Sequence, residues 1–315
     1  MRSRQEMVGA NRRAPMSGGM IVAGVLMLAA SLAQAQTPPD FSKVEIKASK
    51  VTDKFYTLAG QGGTIGVLIG PDGVFMVDTQ FAPLSDRIAA AIRQLTPQPI
   101  RYVVNTHLHG DHTGGNVNFG KMGVIIIARE ELRYRLAHPN PQANGQPGVP
   151  MAAEGLPKLT YGNRMTLQMN GEEVQLLAVP RAHTDGDTLV WFPGLDILMT
   201  GDFYRSTAYP NIDRNNGGTL QGLLDGLGTV IGRAGPTTKI IPGHGPTVDR
   251  LAVMAHRDVV LGVRDRIAAL IAQGKTEDEV VAARITAEFD GRIQQPGASA
   301  ERFVRQIYAE LKAAR

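Results

Sequence analysis

The chain has 315 residues, 43% hydrophobic and 20% charged, enough for one large α/β domain or two small ones around a substantial core. It contains no cysteine, which excludes a disulfide framework, a lipid-anchoring cysteine and thiolate metal ligands. The formal charge of +4 is concentrated at the start, where Arg2, Arg4, Arg12 and Arg13 face only Glu6, leaving about +1 on the rest; no basic block, RNP-type pattern or zinc-finger spacing supports nucleic-acid binding.

In chain order, the first 35 residues read as a leader. The arginines precede an apolar run from Met20 to Leu32 and then Ala33-Gln34-Ala35, the order of a secretory signal peptide cut after Ala35. A run of 13 residues falls short of the roughly 20 that span a membrane. The expected mature protein is residues 36–315, periplasmic or secreted, without stable membrane insertion once the leader is removed.

Beyond the leader, Thr64 to Ile69 and Val74 to Val77 are apolar runs separated by Gly70-Pro71-Asp72-Gly73, two strands and a tight turn. Leu84, Ile88, Ala91, Ile92 and Leu95 recur at helical spacing, and the β-branched run Ile100 to Val104 stops at Asn105-Thr106. A strand at Val124 to Ala128, a helix at Glu130 to Leu136 and a loop at Pro139 to Pro150 follow. Short strands are expected near Met165–Gln168, Val174–Val179, Leu189–Phe192, Ile197–Thr200 and Lys239–Ile241. A helix is expected from Leu220 to about Ile231, and a helical region from Val248 to the end, where Thr276-x-x-Glu279 forms a capping box. No linker divides the sequence, so a single domain is expected. Periodicity alone fits two facing sheets with outer helices and, nearly as well, a doubly wound sheet.

The chemistry concentrates in Thr106-His107-Leu108-His109-Gly110-Asp111-His112, on the loop leaving a core strand. Imidazole nitrogen and carboxylate oxygen are the groups that zinc accepts besides thiolate. Three more candidates stand at or just after expected strand ends: His183, Asp202 and His244. His138 and His256 lie outside these motifs.

The ordered set His-x-His-x-Asp-His, a lone His, an Asp and a last His resembles the metallo-β-lactamase superfamily, over about Val51 to Thr247. The resemblance implies an αβ/βα four-layer sandwich of two mixed sheets with outer helices, and two Zn2+ at one edge. It implies His107, His109 and His183 on one zinc, Asp111, His112 and His244 on the other, and Asp202 as the bridge, with Asp111 and Asp202 also catalytic. Asp78, Thr106 and Asp187 are expected to orient the imidazoles or the ligand loop. Two such cations about 3.5 to 4 Å apart share a water and lower its pKa, giving a hydroxide nucleophile.

The implied activity is hydrolysis of an ester, lactone, thioester or amide in a small-molecule substrate. Asp202, standing where some β-lactamases use cysteine, points toward a general hydrolase, with β-lactam hydrolysis as the runner-up. Iron-dependent sulfur dioxygenase-like chemistry and a non-catalytic metal-binding role are further alternatives. Arg205 is a candidate anchor for a substrate carboxylate. Asn216, with Asn215, is a candidate donor to an oxyanion, and Pro139–Pro150 and Tyr209–Gly218 are the expected pocket walls.

Overall fold

A computed structural model describes residues 40–142 and 144–314; the expected leader and its cleavage point lie outside them. The first sheet runs through β1 (Lys47–Lys50), β2 (Phe55–Ala59), β3 (Ile65–Leu68), β4 (Val74–Val77), β5 (Ile100–Val104), β6 (Ile125–Arg129) and β7 (Leu159–Tyr161), in that spatial order. Its pairings are antiparallel as far as β4 and parallel from β4 to β7. The second sheet comprises β8 (Arg164–Met169), β9 (Glu172–Ala178), β10 (Thr188–Phe192), β11 (Ile197–Met199) and β12 (Lys239–Ile241), in the order β12-β11-β10-β9-β8. Only β11 and β12 pair in parallel there. The helices are α1 (Ser85–Leu95), α2 (Gly110–Thr113), α3 (Asn116–Lys121), α4 (Glu130–Ala137), α5 (Leu220–Arg233), α6 (Arg250–Ala272), α7 (Glu277–Ala282) and α8 (Gly297–Ala313).

Every residue of β3 and β4 is buried, because both faces of the sheet are covered and the strands read as continuous apolar runs rather than alternating ones. Between the sheets, Phe55, Phe75, Val104 and Ile127 pack with Leu176, Val190, Phe192 and Met199. The Phe55 and Phe192 rings meet edge-on at 4.9 Å, a geometry that favours the positive ring edge against the negative face. On the outside of the first sheet, Ile88 and Ile92 of α1 cover Val67, Met76 and Val103. On the outside of the second, α5, α6 and α8 cover Leu189, Leu198 and Ile240. Helix, sheet, sheet and helix make the αβ/βα sandwich, not a doubly wound sheet, and residues 40–315 form one compact unit.

Strands β1, β2 and β7 are absent from the sequence reading, and β2 buries only Phe55 and Leu58. β1 is exposed along its length and β7 has three residues, so pairing partners define them more than their own composition does. Likewise α2 and α3 grow out of the histidine loop through glycine and asparagine, which have poor helix propensity. The capping box at the start of α7 forms with both hydrogen bonds present.

The outer helical layer also buries His256, 6% exposed, with its ring edge-on to Tyr204 and Nε2 without a partner. Burial lowers its pKa from 6.5 to about 4. The unfolded chain therefore binds a proton that the native state refuses: the stability present above pH 6.5 is lost as pH falls towards 4. Urea unfolding of metal-free protein should show His256→Phe gaining about 2–3 kcal/mol relative to wild type between pH 7.5 and 4.5; parallel pH profiles for the two proteins would contradict this.

Candidate metal centre

The centre lies where β4, β5, β11 and β12 end. Asp78 follows β4 with a left-handed backbone, φ 64°, a strained conformation for a non-glycine residue. That turn aims its carboxylate at the end of β5. Oδ1 accepts from the Thr106 amide, and Oδ2 accepts from the Thr106 hydroxyl and faces His112 Nδ1, each at 2.7 Å. Thr106 Oγ1 in turn stands 3.1 Å from His107 Nδ1. Donating Nδ1–H outward leaves Nε2 of both His107 and His112 with its lone pair toward the cavity.

His183 is held the same way from the second sheet. The Asp187 carboxylate accepts from the His183 and Thr184 amides and the Thr184 hydroxyl, while His183 Nδ1 faces the Asn211 carbonyl at 2.6 Å. Its Nε2 then lies 2.9 Å from His109 Nδ1. The other nitrogen of His109, Nε2, meets Asp213 Oδ2 at 2.8 Å. Asp202 follows β11 through Gly201, and His244 follows β12 through Gly243. Two glycines permit the approach: a Cβ on Gly243 would stand 2.0 Å from Asp202 Oδ1, and one on Gly63 would stand 2.1 Å from the His112 ring.

Three groups have ligand atoms within 4.8 Å of one another: His107, His109 and His183; His107, His112 and Asp202; and Asp111, His112 and His244. Asp202 spans the middle, with Oδ1 3.3 Å from His112 Nε2 and Oδ2 3.3 Å from His244 Nε2. Asp111 Oδ2 stands 3.1 Å from His244 Nε2. All seven residues singled out by the motifs are thus brought together. His107 Nε2 and Asp202 Oδ1 are buried without a hydrogen-bond partner, a costly state for a lone pair unless a cation or donor meets it. Nitrogen and carboxylate donors with their outer atoms already engaged fit divalent cations such as zinc.

Without cations the cluster redistributes protons. Burial and the neighbouring imidazoles hold His107 well below its usual pKa and take His183 down to about 4. Burial would do the same to His112, but Asp202 and Asp78 outweigh it and hold that imidazole well above its usual value. Burial opposes ionisation of Asp202, yet the facing His112 and His244 imidazoles keep its carboxyl well below the usual range. A proton on His112 thus stands in for positive charge that the site is built to receive.

The sequence profile of the metallo-beta-lactamase superfamily matches residues 59–244, more than half of the chain and all seven residues of the cluster. The chain belongs to the metallo-beta-lactamase superfamily. Superfamily relatives include the 2,4-dinitroanisole O-demethylase subunit alpha of Nocardioides sp. strain JS1661, 29% identical over 159 residues, 48% of this chain and 43% of that protein. The linear primary-alkylsulfatase of Pseudomonas sp. strain ATCC 19151 is 23% identical over 257 residues, 67% of this chain and 48% of that protein. The chain therefore spans about half the length of these two relatives. Among solved structures, DIM-1 metallo-beta-lactamase superposes with a TM-score of 0.57 at 21% identity, over 70% of this chain and 99% of that one, a likeness of fold.

Part of the support for the centre comes from outside the residues matched to the superfamily. Gln306 on α8 accepts from the Ile212 amide and donates to Asn211 Oδ1, steadying the segment whose Asn211 carbonyl and Asp213 carboxylate hold His183 and His109. Glu310 accepts from the Leu220 amide at the start of α5. No motif marks Asp213, Asn211 or Gln306; Asn211 and Asp213 lie within the Tyr209–Gly218 segment expected as a pocket wall, and Gln306 carried no local signal.

Asn216 Nδ2 donates to Asp213 Oδ2, and its Oδ1 accepts from Arg135 and Asn140, so its side chain braces the Asp213 turn. The Asn215 carbonyl is engaged by the same Asn140. Arg205 stands beside the centre, its backbone in a parallel bridge with His244.

Two substitutions test the arrangement through bound metal measured by elemental analysis. Gly243→Ala displaces the Asp202 carboxylate and is expected to reduce metal content to less than half that of wild type; full retention would contradict the packing argument. Asp213→Ala frees the His109 ring and should weaken metal affinity roughly 10–100-fold in a chelator competition, with unchanged affinity refuting its orienting role.

Proposed function

We propose that this protein is a two-zinc hydrolase cleaving an ester, lactone, thioester or amide bond in a small molecule. The observation that carries the reading is the pair of buried, unpartnered acceptors, His107 Nε2 and Asp202 Oδ1, flanked by ligand groups on both sides. His107, His109 and His183 would hold one cation, Asp111, His112 and His244 the other, with Asp202 between them. When bound, the cations supply a water of lowered pKa and Lewis-acid polarisation of the scissile group.

The rest is done by the chain. Asp78, Asp187, Asp213 and the Asn211 carbonyl fix imidazole orientation, so that no reorganisation accompanies the reaction. Asp111 has its side chain 26% exposed, with Oδ2 on the His244 side that would face the cation, and Oδ1 would accept a proton from the attacking water. The water oxygen bonds to the acyl carbon, the bond to the leaving atom breaks, and the proton held at Asp111 Oδ1 passes to the departing group. The names of the relatives span O-demethylation and sulfate-ester cleavage, so fold membership alone does not select the substrate.

Purified protein should contain about two zinc per chain, and His107→Ala or Asp111→Ala should lower turnover on an ester and lactone panel by at least about 100-fold. Only trace metal, or unchanged turnover in both variants, would sink the reading. One iron per chain with oxygen consumption would replace it with oxygenase chemistry. β-Lactam hydrolysis is the second reading, favoured by the likeness to DIM-1 metallo-beta-lactamase over nearly that whole chain and by Arg205 beside His244; nitrocefin turnover in the presence of zinc tests it. Export is proposed from residues 1–35, and an N-terminus at Gln36 in protein recovered outside the cytoplasm would bear it out.

A further inference from the structure

Two asparagine side chains close the ligand loop at its base. Asn105 follows β5 directly and Asn116 is the first residue of α3, so the pair brackets His107, His109, Asp111 and His112. Asn116 Nδ2 donates to Asn105 Oδ1 at 2.8 Å, and Asn105 Nδ2 donates back to Asn116 Oδ1 at 3.1 Å. Both residues are fully buried, as is Thr79. The remaining capacity of the two amides points at the loop and its support: Asn105 Nδ2 also donates to the His112 carbonyl at 3.4 Å, and Asn116 Nδ2 to the Gly155 carbonyl at 3.2 Å. The Thr79 amide donates to the same His112 carbonyl at 2.8 Å, and the Thr79 hydroxyl stands 3.0 Å from that carbonyl and 3.1 Å from Asn116 Oδ1.

Buried amides are costly unless each polar atom finds a partner, and here each of them does. A fully satisfied buried network is rigid, and a tie between the ends of a loop removes conformational freedom before any ligand binds. The effect is uneven across the loop. His107 is oriented through Thr106, His109 through Asp213, and His183 through Asp187 and the Asn211 carbonyl. None of those bonds passes through the asparagine side chains. The amide pair holds instead the backbone of His112, and with it the four-residue α2 turn that carries Asp111.

We propose that the Asn105–Asn116 clasp is a positioning device for the second cation, holding Asp111 and His112 in place beside His244 before metal arrives. The inference rests on the reading of the centre as a two-zinc site. In its test, zinc is added stepwise to the metal-free full chain against a chromophoric chelator, and a dissociation constant is obtained for each equivalent. Asn116→Ala should weaken the second equivalent roughly 10–100-fold and the first by less than about threefold. Asn116→Asp keeps the size and an acceptor oxygen but loses the donor to Asn105 and Gly155; it should show the same selective loss, and it carries the test should the alanine variant not fold. Asn105→Asp, which loses the donor to Asn116 and to the His112 carbonyl, should act in the same direction. Asn118→Ala, on the same helix but bonded to Ala82 and Ser85, should bind both equivalents as wild type does.

A pair serving stability alone would lower the urea midpoint of the metal-free protein without favouring one zinc over the other. Equal weakening of the two equivalents in the Asn116 variants, or no weakening of either, therefore overturns the proposal. Wild type that binds two zinc while the variants show no selective loss rejects the clasp and leaves the two-zinc reading standing. A single zinc in wild type rejects both. Selective loss of the second zinc, together with no wild-type turnover on the ester and lactone panel, keeps the clasp and rejects hydrolysis.

Discussion

The buried carboxylate of Asp78 ties the end of β4 to the end of β5, and the geometry of the whole centre follows from that tie. One oxygen accepts from a backbone amide and the other from a hydroxyl, with an imidazole nitrogen completing the set. A carboxylate taken out of water is stable only when its lone pairs are met in this way. The left-handed backbone at Asp78 stores strain that these bonds hold in place. The tie aligns Thr106, which passes the orientation on to His107, so one acid governs two imidazoles and the path of the loop between them.

Around that tie, the sandwich brings ends of both sheets to one edge. The inter-sheet core fixes β4 and β5 against β10 and β11 through close-packed aromatic and branched side chains, and such interiors resist small displacements. A shift sufficient to separate Asp202 from His112 would open a gap in this packing. Glycine at positions 63 and 243 answers the same constraint from the other side, since the loops approach the ligand side chains closer than a Cβ allows. The C-terminal helix adds a second frame: it carries no residue of the cluster, yet through Gln306 it holds the segment that orients His109 and His183.

Electrostatics gives the centre its direction. Seven donor groups converge, and burial makes both charged imidazoles and charged carboxylates expensive; in the absence of a cation the pairing of His112 with Asp78 and Asp202, and of His244 with Asp111 and Asp202, meets both.

Much of the centre was legible in the amino-acid sequence. The cluster His107 to His112 is local, and the glycines around Asp202 and His244 mark abrupt turns after apolar runs, so candidate donors at strand ends could be read from the sequence, while the resemblance to the superfamily motif is what joined His183, Asp202 and His244 to that cluster as ligands. Those patterns reflect short-range chemistry: backbone conformation, apolar spacing and donor type. They also located the core strands β3, β4 and β5 and the helices α1 and α5. They left the choice between a sandwich and a doubly wound sheet open until the superfamily motif was considered, because periodicity does not specify which strands pair. The tertiary structure alone decided that Asp213 orients His109 across 104 residues, that Gln306 supports Asn211 across 95, and that Asn216 braces a turn. Each depends on chain segments far apart in sequence meeting through packing, and no local propensity encodes such a meeting.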